Sequence, residues 1–528
     1  MRAFLFALTF LGAAIASAQT IRPEALRGIM RFLSSDLLEG RGTGARGYQI
    51  AAEYVASQLE SLGIAPGANG TYFQSVPFLR TTVDGQQSWV RIGDKTLRYD
   101  VDFIAYGEPL RDVADVDAAV VFVGYGVTAP ERGYDDYKGI DTKGRIVAFL
   151  TGGPSSFPSE ERAHYGATTT KLNNAADHGA VGTISLRTPY AERMYAWARS
   201  VRQSHLGGMN WLEADATPHA TRREVLGQVT MSRSGAEALF GSAAAFDETV
   251  AAVEKGERRS GELPVRAAIH VVSTHARLES PNVVGVLGGS DPALRNEYVV
   301  YSGHLDHLGI TDPVDGDSIN NGALDNASGI AAMLEIARAF VEAPRRPRRS
   351  ILFLATTGEE KGLRGADYFA NNPTVPLQSI VANVNVDEIL MQTRTRDVVL
   401  IGAEHSTLSD VAASVARRAN VSISPDPYPD EAVFVRSDQY PFVKRGVPAV
   451  FVLAGYRAVD PNVDAQKLQM QWITTLYHTP KDDMTQPIDF GEGAMVTDFA
   501  WRLGHAVANA TARPQWKKGD FFGTTFGR

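Results

Sequence analysis

Four short apolar runs, at residues 299–302, 351–355, 380–386 and 449–453, constrain this chain more than any other feature. Each has the length of a strand, and helical segments separate them. A strand that is apolar throughout, rather than alternating, is buried on both faces, as in a parallel sheet flanked by helices. The pattern predicts an α/β fold with a mixed, mostly parallel sheet covered by helices on both faces. Upstream, Leu26, Ile29, Met30 and Leu33, then Ile50, Tyr54, Val55, Leu59 and Leu62, recur at helical spacing. The glycines of Glu39-Gly40-Arg41-Gly42-Thr43-Gly44 mark a loop between these two helices. Between about 105 and 255 the texture changes to short strand-like runs at 118–124, 145–150 and 181–186, separated by turn signals. Helix–strand alternation resumes afterwards, so this segment reads as a small β-rich module inserted into a larger domain. The expected division is 1–18, 19–104, 105–255 and 256–528, with the second and last pieces forming one domain.

Composition narrows the chemistry. Hydrophobic residues make up 44% and charged residues 21%, as in a globular protein with a large core. The formal net charge is −8, and the one basic run, Arg345-Arg346-Pro347-Arg348-Arg349, has no second cluster beside it, so nucleic-acid binding is not expected. The chain has no cysteine, which excludes disulfides and thiolate ligands and leaves any metal to His, Asp and Glu. Arg2, the apolar stretch 3–15 and the small-residue site Ala16-Ser17-Ala18 read as a signal peptide, with a mature chain starting at Gln19. Export to a bacterial periplasm or medium is expected. No other stretch reaches the roughly 18 apolar residues of a membrane span, so none is expected in the mature chain.

Five segments carry candidate chemistry. The run 298–303 leads into His304-Leu305-Asp306-His307, where open α/β sheets place ligands. Asp306 is positioned to accept the other ring proton of His304. Asp325, in Gly322-Ala323-Leu324-Asp325-Asn326, precedes an amphipathic helix with Ile330, Met333, Leu334, Ala337, Phe340 and Val341 on one face. The run 351–355 ends in Gly358-Glu359-Glu360. Adjacent carboxylates raise each other's pKa, a cost that a cation removes. The run 380–386 ends in Asp387. His478 follows Tyr477, with Asp482 and Asp483 nearby. Singly, each is as readily a core histidine or a helix cap. Together they supply two His, two Asp and a Glu, a donor set that suits zinc.

The ordered set His304-x-Asp306, Gly322-Ala323-Leu324-Asp325-Asn326, Gly358-Glu359-Glu360, Asp387 and His478 resembles the co-catalytic zinc aminopeptidase family, whose relatives include glutamate carboxypeptidase and the transferrin receptor. Leu33-Ser34-Ser35-Asp36, Glu39-Gly40-Arg41-Gly42-Thr43-Gly44, Pro281-Asn282-Val283-Val284-Gly285 and Arg436-Ser437-Asp438-Gln439-Tyr440-Pro441-Phe442 extend the likeness over most of residues 25–490. The inserted segment, with Gly133-Tyr134-Asp135-Asp136-Tyr137, resembles a protease-associated domain. The resemblance implies two Zn2+ per chain, one on His304 and Asp387, the other on Glu360 and His478, bridged by Asp325. It implies Glu359 as general base, Tyr477 as a group polarising the substrate carbonyl, and a cis Asp325–Asn326 peptide bond. His307 is not a ligand in the family pattern and is expected behind the ligands or at the surface. The implied activity is hydrolysis of the N-terminal peptide bond of peptides by a metal-bridged hydroxide. The alternatives are a carboxypeptidase or dipeptidase, for which Arg436, Lys444, Arg445 and Arg457 are candidate carboxylate binders, a glutaminyl cyclase, or a receptor-like protein without activity.

Overall fold

The structure is a computed structural model and describes residues 21–527. The expected signal peptide lies outside the described residues. Two helices, α1 (Pro23–Leu33) and α2 (Arg46–Ser61), precede strand β1 (Phe73–Val83). A second sheet follows, built from β2 (Phe103–Tyr106), β3 (Val113–Phe122), β4 (Ile146–Leu150), β5 (Gly182–Leu186) and β6 (Gly227–Met231). Helices α3 (Ser159–Gly166) and α4 (Trp197–His205) lie within this stretch. The long strand β7 (Gly261–Leu287) belongs to both sheets: its first half pairs with β3 and its second half with β1.

The main sheet continues through β8 (Tyr298–His304), β9 (Ser350–Thr356), β10 (Ile380–Val386), β11 (Asp397–Ile401) and β12 (Ala449–Ala454). Its spatial order is β1-β7-β9-β8-β10-β12-β11, with β9, β8, β10 and β12 mutually parallel and antiparallel strands toward both edges. This is the mixed, mostly parallel sheet that the four apolar runs predict. Helices α5 (Ser328–Glu342), α6 (Ala465–Thr475) and α7 (Phe490–Asn509) complete the body.

Helix α5 departs from its amphipathic reading, since every residue from Ser328 to Phe340 is buried. It packs between the sheet and helices α1 and α7, and its small alanines permit close approach on all sides. Its two interior charges, Glu335 and Arg338, satisfy each other, and Arg22 closes on Glu335 as well. Because β8, β9 and β10 run the same way, their C-terminal ends open onto one edge of the sheet. The candidate residues gather there.

Candidate metal centre

Three of the acids and one histidine reach this edge from strand ends. His304 is the last residue of β8, Glu359 and Glu360 follow β9, and Asp387 follows β10. Asp325 comes from the turn before α5. Gly322 opens that turn with a left-handed φ of 58°, and a Cβ there would sit 2.2 Å from the Asp325 carbonyl oxygen and 2.7 Å from the His307 ring. Only glycine fits both demands. The Asp325–Asn326 peptide bond is cis. His478 arrives from the loop after α6.

The side chains form two donor sets around one shared carboxylate. His304 Nε2 lies 3.1 Å from Asp325 Oδ1 and 3.1 Å from Asp387 Oδ1. His478 Nε2 lies 3.0 Å from Asp325 Oδ2 and 3.1 Å from Glu360 Oε2. The side chains of His304, Asp325, Glu360 and Asp387 are 1–5% exposed and that of His478 13%. Asp325 Oδ2 and Glu360 Oε1 are buried with no hydrogen-bond partner, and so are both ring nitrogens of His307. Buried carboxylate oxygens left without donors cost several kcal/mol unless a cation meets them. The nitrogen and oxygen donors, with no sulfur, fit zinc.

His307, expected behind the ligands or at the surface, lies buried against them. It is fully buried, and its Nδ1 lies 2.7 Å from Glu360 Oε1 and 3.6 Å from Asp325 Oδ2, without the alignment of a hydrogen bond. His307, Asp325 and Glu360 offer three potential ligand atoms within 4.8 Å of one another. The His-x-x-His spacing was the signal that could have placed it there.

Asp306 also differs from its reading. His304 Nδ1 faces the main-chain oxygen of Asp306 at 2.9 Å, not its carboxylate. The tight loop turns the carboxylate away, where it accepts from Thr43 Oγ1 at 2.8 Å and from the Glu359 backbone N–H at 3.1 Å. Asp306 therefore positions Glu359. Burial, and then the neighbouring Glu360 and Asp387 charges outweighing His304, raise the proton affinity of Glu359 well above the usual carboxylate range. Glu359 Oε2 is 3.9 Å from His304 Nε2 and belongs to neither donor set.

Supporting residues come from distant parts of the chain. The Arg41 guanidinium is buried and donates to the carbonyls of Leu33, Leu305, Asn321 and Gly322, tying the N-terminal segment to two site loops. Asp482 accepts from the backbone N–H groups of Leu324 and Asp325, both at 3.0 Å, and burial pushes its pKa up to about 6. Ser437 donates to Asp387 Oδ2 at 2.6 Å and is itself held by Asn385 at 2.7 Å. Tyr477 stacks beside His478 with ring centroids 3.7 Å apart, and its hydroxyl accepts from Arg436 at 3.3 Å. Glu388 follows Asp387 and faces the same charges; burial raises its pKa well above the usual range. Sequence reading named Arg41 and Ser437 only within longer motifs, without a role, and missed Glu388 and Gln203; the last meets His478.

Helix α4 and the residues just before it close one side of the site. Arg199 on α4 donates to the carbonyls of Ile473 and Thr474 at the end of α6, and its guanidinium lies 5.8 Å from the Tyr477 ring centroid. Tyr190 and Tyr195 both donate to Glu431, a carboxylate that also pairs with Arg436 at 3.1 Å. Among the described residues, no helix is long and apolar enough to cross a membrane.

Comparison with known proteins places this arrangement. Residues 282–503 match the model of peptidase family M28. A probable zinc metalloprotease of Pyrenophora tritici-repentis is 28% identical over 258 residues, covering 44% of this chain and 58% of that protein. Aminopeptidase NAALADL1 of Mus musculus is 36% identical over 141 residues, 25% of this chain and 17% of that one. The matches thus span at most about three-fifths of the first curated relatives. The solved structure of an aminopeptidase from Aneurinibacillus sp. strain AM-1 superposes over 94% of this chain and 96% of its own, with TM-score 0.54 at 18% identity. The region that matches peptidase family M28 thus spans the ends of β8, β9 and β10 and the loop that carries His478, the segments from which the candidate metal ligands come.

Proposed function

We propose that this protein is an aminopeptidase holding two zinc ions, one on His304 and Asp387, the other on Glu360 and His478, with Asp325 shared and Glu359 as general base. The observation that carries this reading is the pair of donor sets meeting on the two oxygens of Asp325, with one further carboxylate, Glu359, beside them and in neither. Zinc bound at these donors would polarise a peptide carbonyl and make water more acidic.

The chain's own groups do the rest. Glu359, beside both donor sets and in neither, takes the proton of the attacking water and delivers it to the departing amine. Asp306, held by Thr43, fixes the backbone from which Glu359 projects. The Tyr477 hydroxyl donates to the carbonyl oxygen as negative charge gathers there. The walls suit a substrate ammonium better than a carboxylate. Glu359 and Glu388 stand beside the donor carboxylates. Of the cations weighed for a carboxylate, Arg436 is paired with Glu431 and Lys444 with Asp367, while Arg445 and Arg457 are exposed. This favours the aminopeptidase over the carboxypeptidase reading.

The test is a panel of aminoacyl chromogenic substrates beside their N-acetylated versions, run before and after chelation. Free-amine substrates should be cleaved, acetylation should cost at least about 100-fold, the scale of an unpaired buried charge, and chelation should abolish turnover. Cleavage of N-blocked peptides with free C-termini, at rates equal to or above those of free-amine substrates, overturns the proposal.

A further inference from the structure

The two histidines of the metal centre need the same thing from their surroundings. A histidine that gives Nε2 to a metal carries its proton on Nδ1, and an acceptor at Nδ1 fixes both the tautomer and the ring plane. His304 has such an acceptor within its own loop, the Asp306 main-chain oxygen at 2.9 Å. His478 has none from the peptidase body. Its Nδ1 instead meets the side-chain amide of Gln203, 2.5 Å away and 275 residues distant in sequence. No other hydrogen-bond partner for this nitrogen is found among the described residues.

Gln203 is well placed to serve. It lies on α4, four residues after Arg199, so both project from one face of the helix. Arg199 docks that face on the carbonyls of Ile473 and Thr474, at the C-terminal end of the helix that leads into His478. One turn along, Gln203 arrives at the ring. His478 has particular need of support. It sits in a loop with a left-handed φ of 58°, and its side chain is 13% exposed where His304 is 1%. The amide as placed presents nitrogen to Nδ1. A protonated Nδ1 needs an acceptor, and a half-turn of the planar amide about its last bond offers Oε1 instead.

We propose that Gln203, carried by the inserted module, is the positioning residue for His478: its side-chain carbonyl accepts the Nδ1 proton, and so leaves Nε2 oriented toward Asp325 and Glu360 for the second zinc. The module therefore completes the metal centre in addition to walling it. This rests on the two-ion reading above.

The experiment is a zinc competition titration of the full chain against a chromogenic chelator, for wild type, Gln203→Met and Gln203→Glu. Methionine matches glutamine in length and helix preference but offers no oxygen, and glutamate keeps an acceptor and removes the amide N–H donors. We expect two ions in the wild type. Gln203→Met should bind the weaker ion about 10- to 100-fold less tightly, the usual cost of losing such a partner. Its tighter ion should be unchanged, which also reports that the chain is folded. Gln203→Glu should restore the weaker ion to within about threefold of wild type. Unchanged binding of both ions by Gln203→Met, equal loss of both, or a glutamate variant as weak as the methionine variant each overturns the positioning role while leaving two ions in place. A wild-type chain that binds one ion removes the two-ion reading and this proposal together.

Discussion

The two donor sets that meet on Asp325 are made from different materials. His304 and Asp387 stand at the ends of adjacent parallel strands, β8 and β10, with side chains 1% and 5% exposed. Their orienting partners are equally local: the Asp306 main chain for one, and Ser437 braced by Asn385 for the other. On the second side Glu360 follows β9, but His478 rides on a loop and leans on Gln203 from the inserted stretch. One half of the centre is thus fixed by the sheet itself, and the other depends on how helix α4 is seated. The first half should be insensitive to changes outside the peptidase body, and the second should report them.

The harshest way to break this contrast is to remove what the halves share. Asp325→Asn halves the donor capacity of the bridge and leaves three histidines facing a neutral amide. Both ions should be lost at zinc concentrations that saturate the wild type, and activity should fall to background. Elemental analysis after gel filtration reads the result, and full occupancy of both sites would sink the bridging role.

Glu359 offers a sharper cut, because it belongs to neither half. Glu359→Gln should keep both ions and lose about 10²- to 10⁴-fold in kcat, the range for removing a general base. Near-normal turnover would show that the proton is carried by another group, with Glu388 the first to examine.

This division also explains how much the sequence disclosed. The sheet and its ligands were legible because each acid directly follows an apolar run, so the strand and the ligand it presents share one short segment. Glu359, Glu360 and Asp387 are of this kind. What supports them was illegible, because it arrives from far along the chain. Arg41 reaches Asn321 across 280 residues, Asp482 reaches Asp325 across 157, and Gln203 reaches His478 across 275. No local spacing encodes such contacts. Asp306 was misread in another way. It sits in a loop whose turn decides which side chain faces inward, and residue type alone does not fix that turn. Helix α5 shows the same limit for packing: it reads as amphipathic, with one apolar face, yet the small size of its alanines lets it be buried on every side.

The mildest probe acts at the far end of the module. His164, on α3, sits among Phe521, Phe522 and Phe526, with its Nδ1 2.5 Å from the Tyr440 hydroxyl of the peptidase body. Burial lowers its pKa from 6.5 to about 4. A base whose folded pKa lies below its unfolded value binds fewer protons when folded, so between these values stability rises with pH. Taken downward, acidification from pH 7 to pH 5 should cost the chain roughly 2 kcal/mol through this residue, at about 1.4 kcal/mol per pH unit below 6.5. His164→Phe keeps the aromatic seam and removes the titration. Urea midpoints at pH 7 and pH 5 should therefore lie closer together in the variant than in the wild type, by that amount. Equal separations would mean that the ring is open to water and the seam is not closed by it. His164 and Gln203 thus join the stretch between 105 and 255 to the rest of the chain at two separate places, the Tyr440 hydroxyl and the His478 ring.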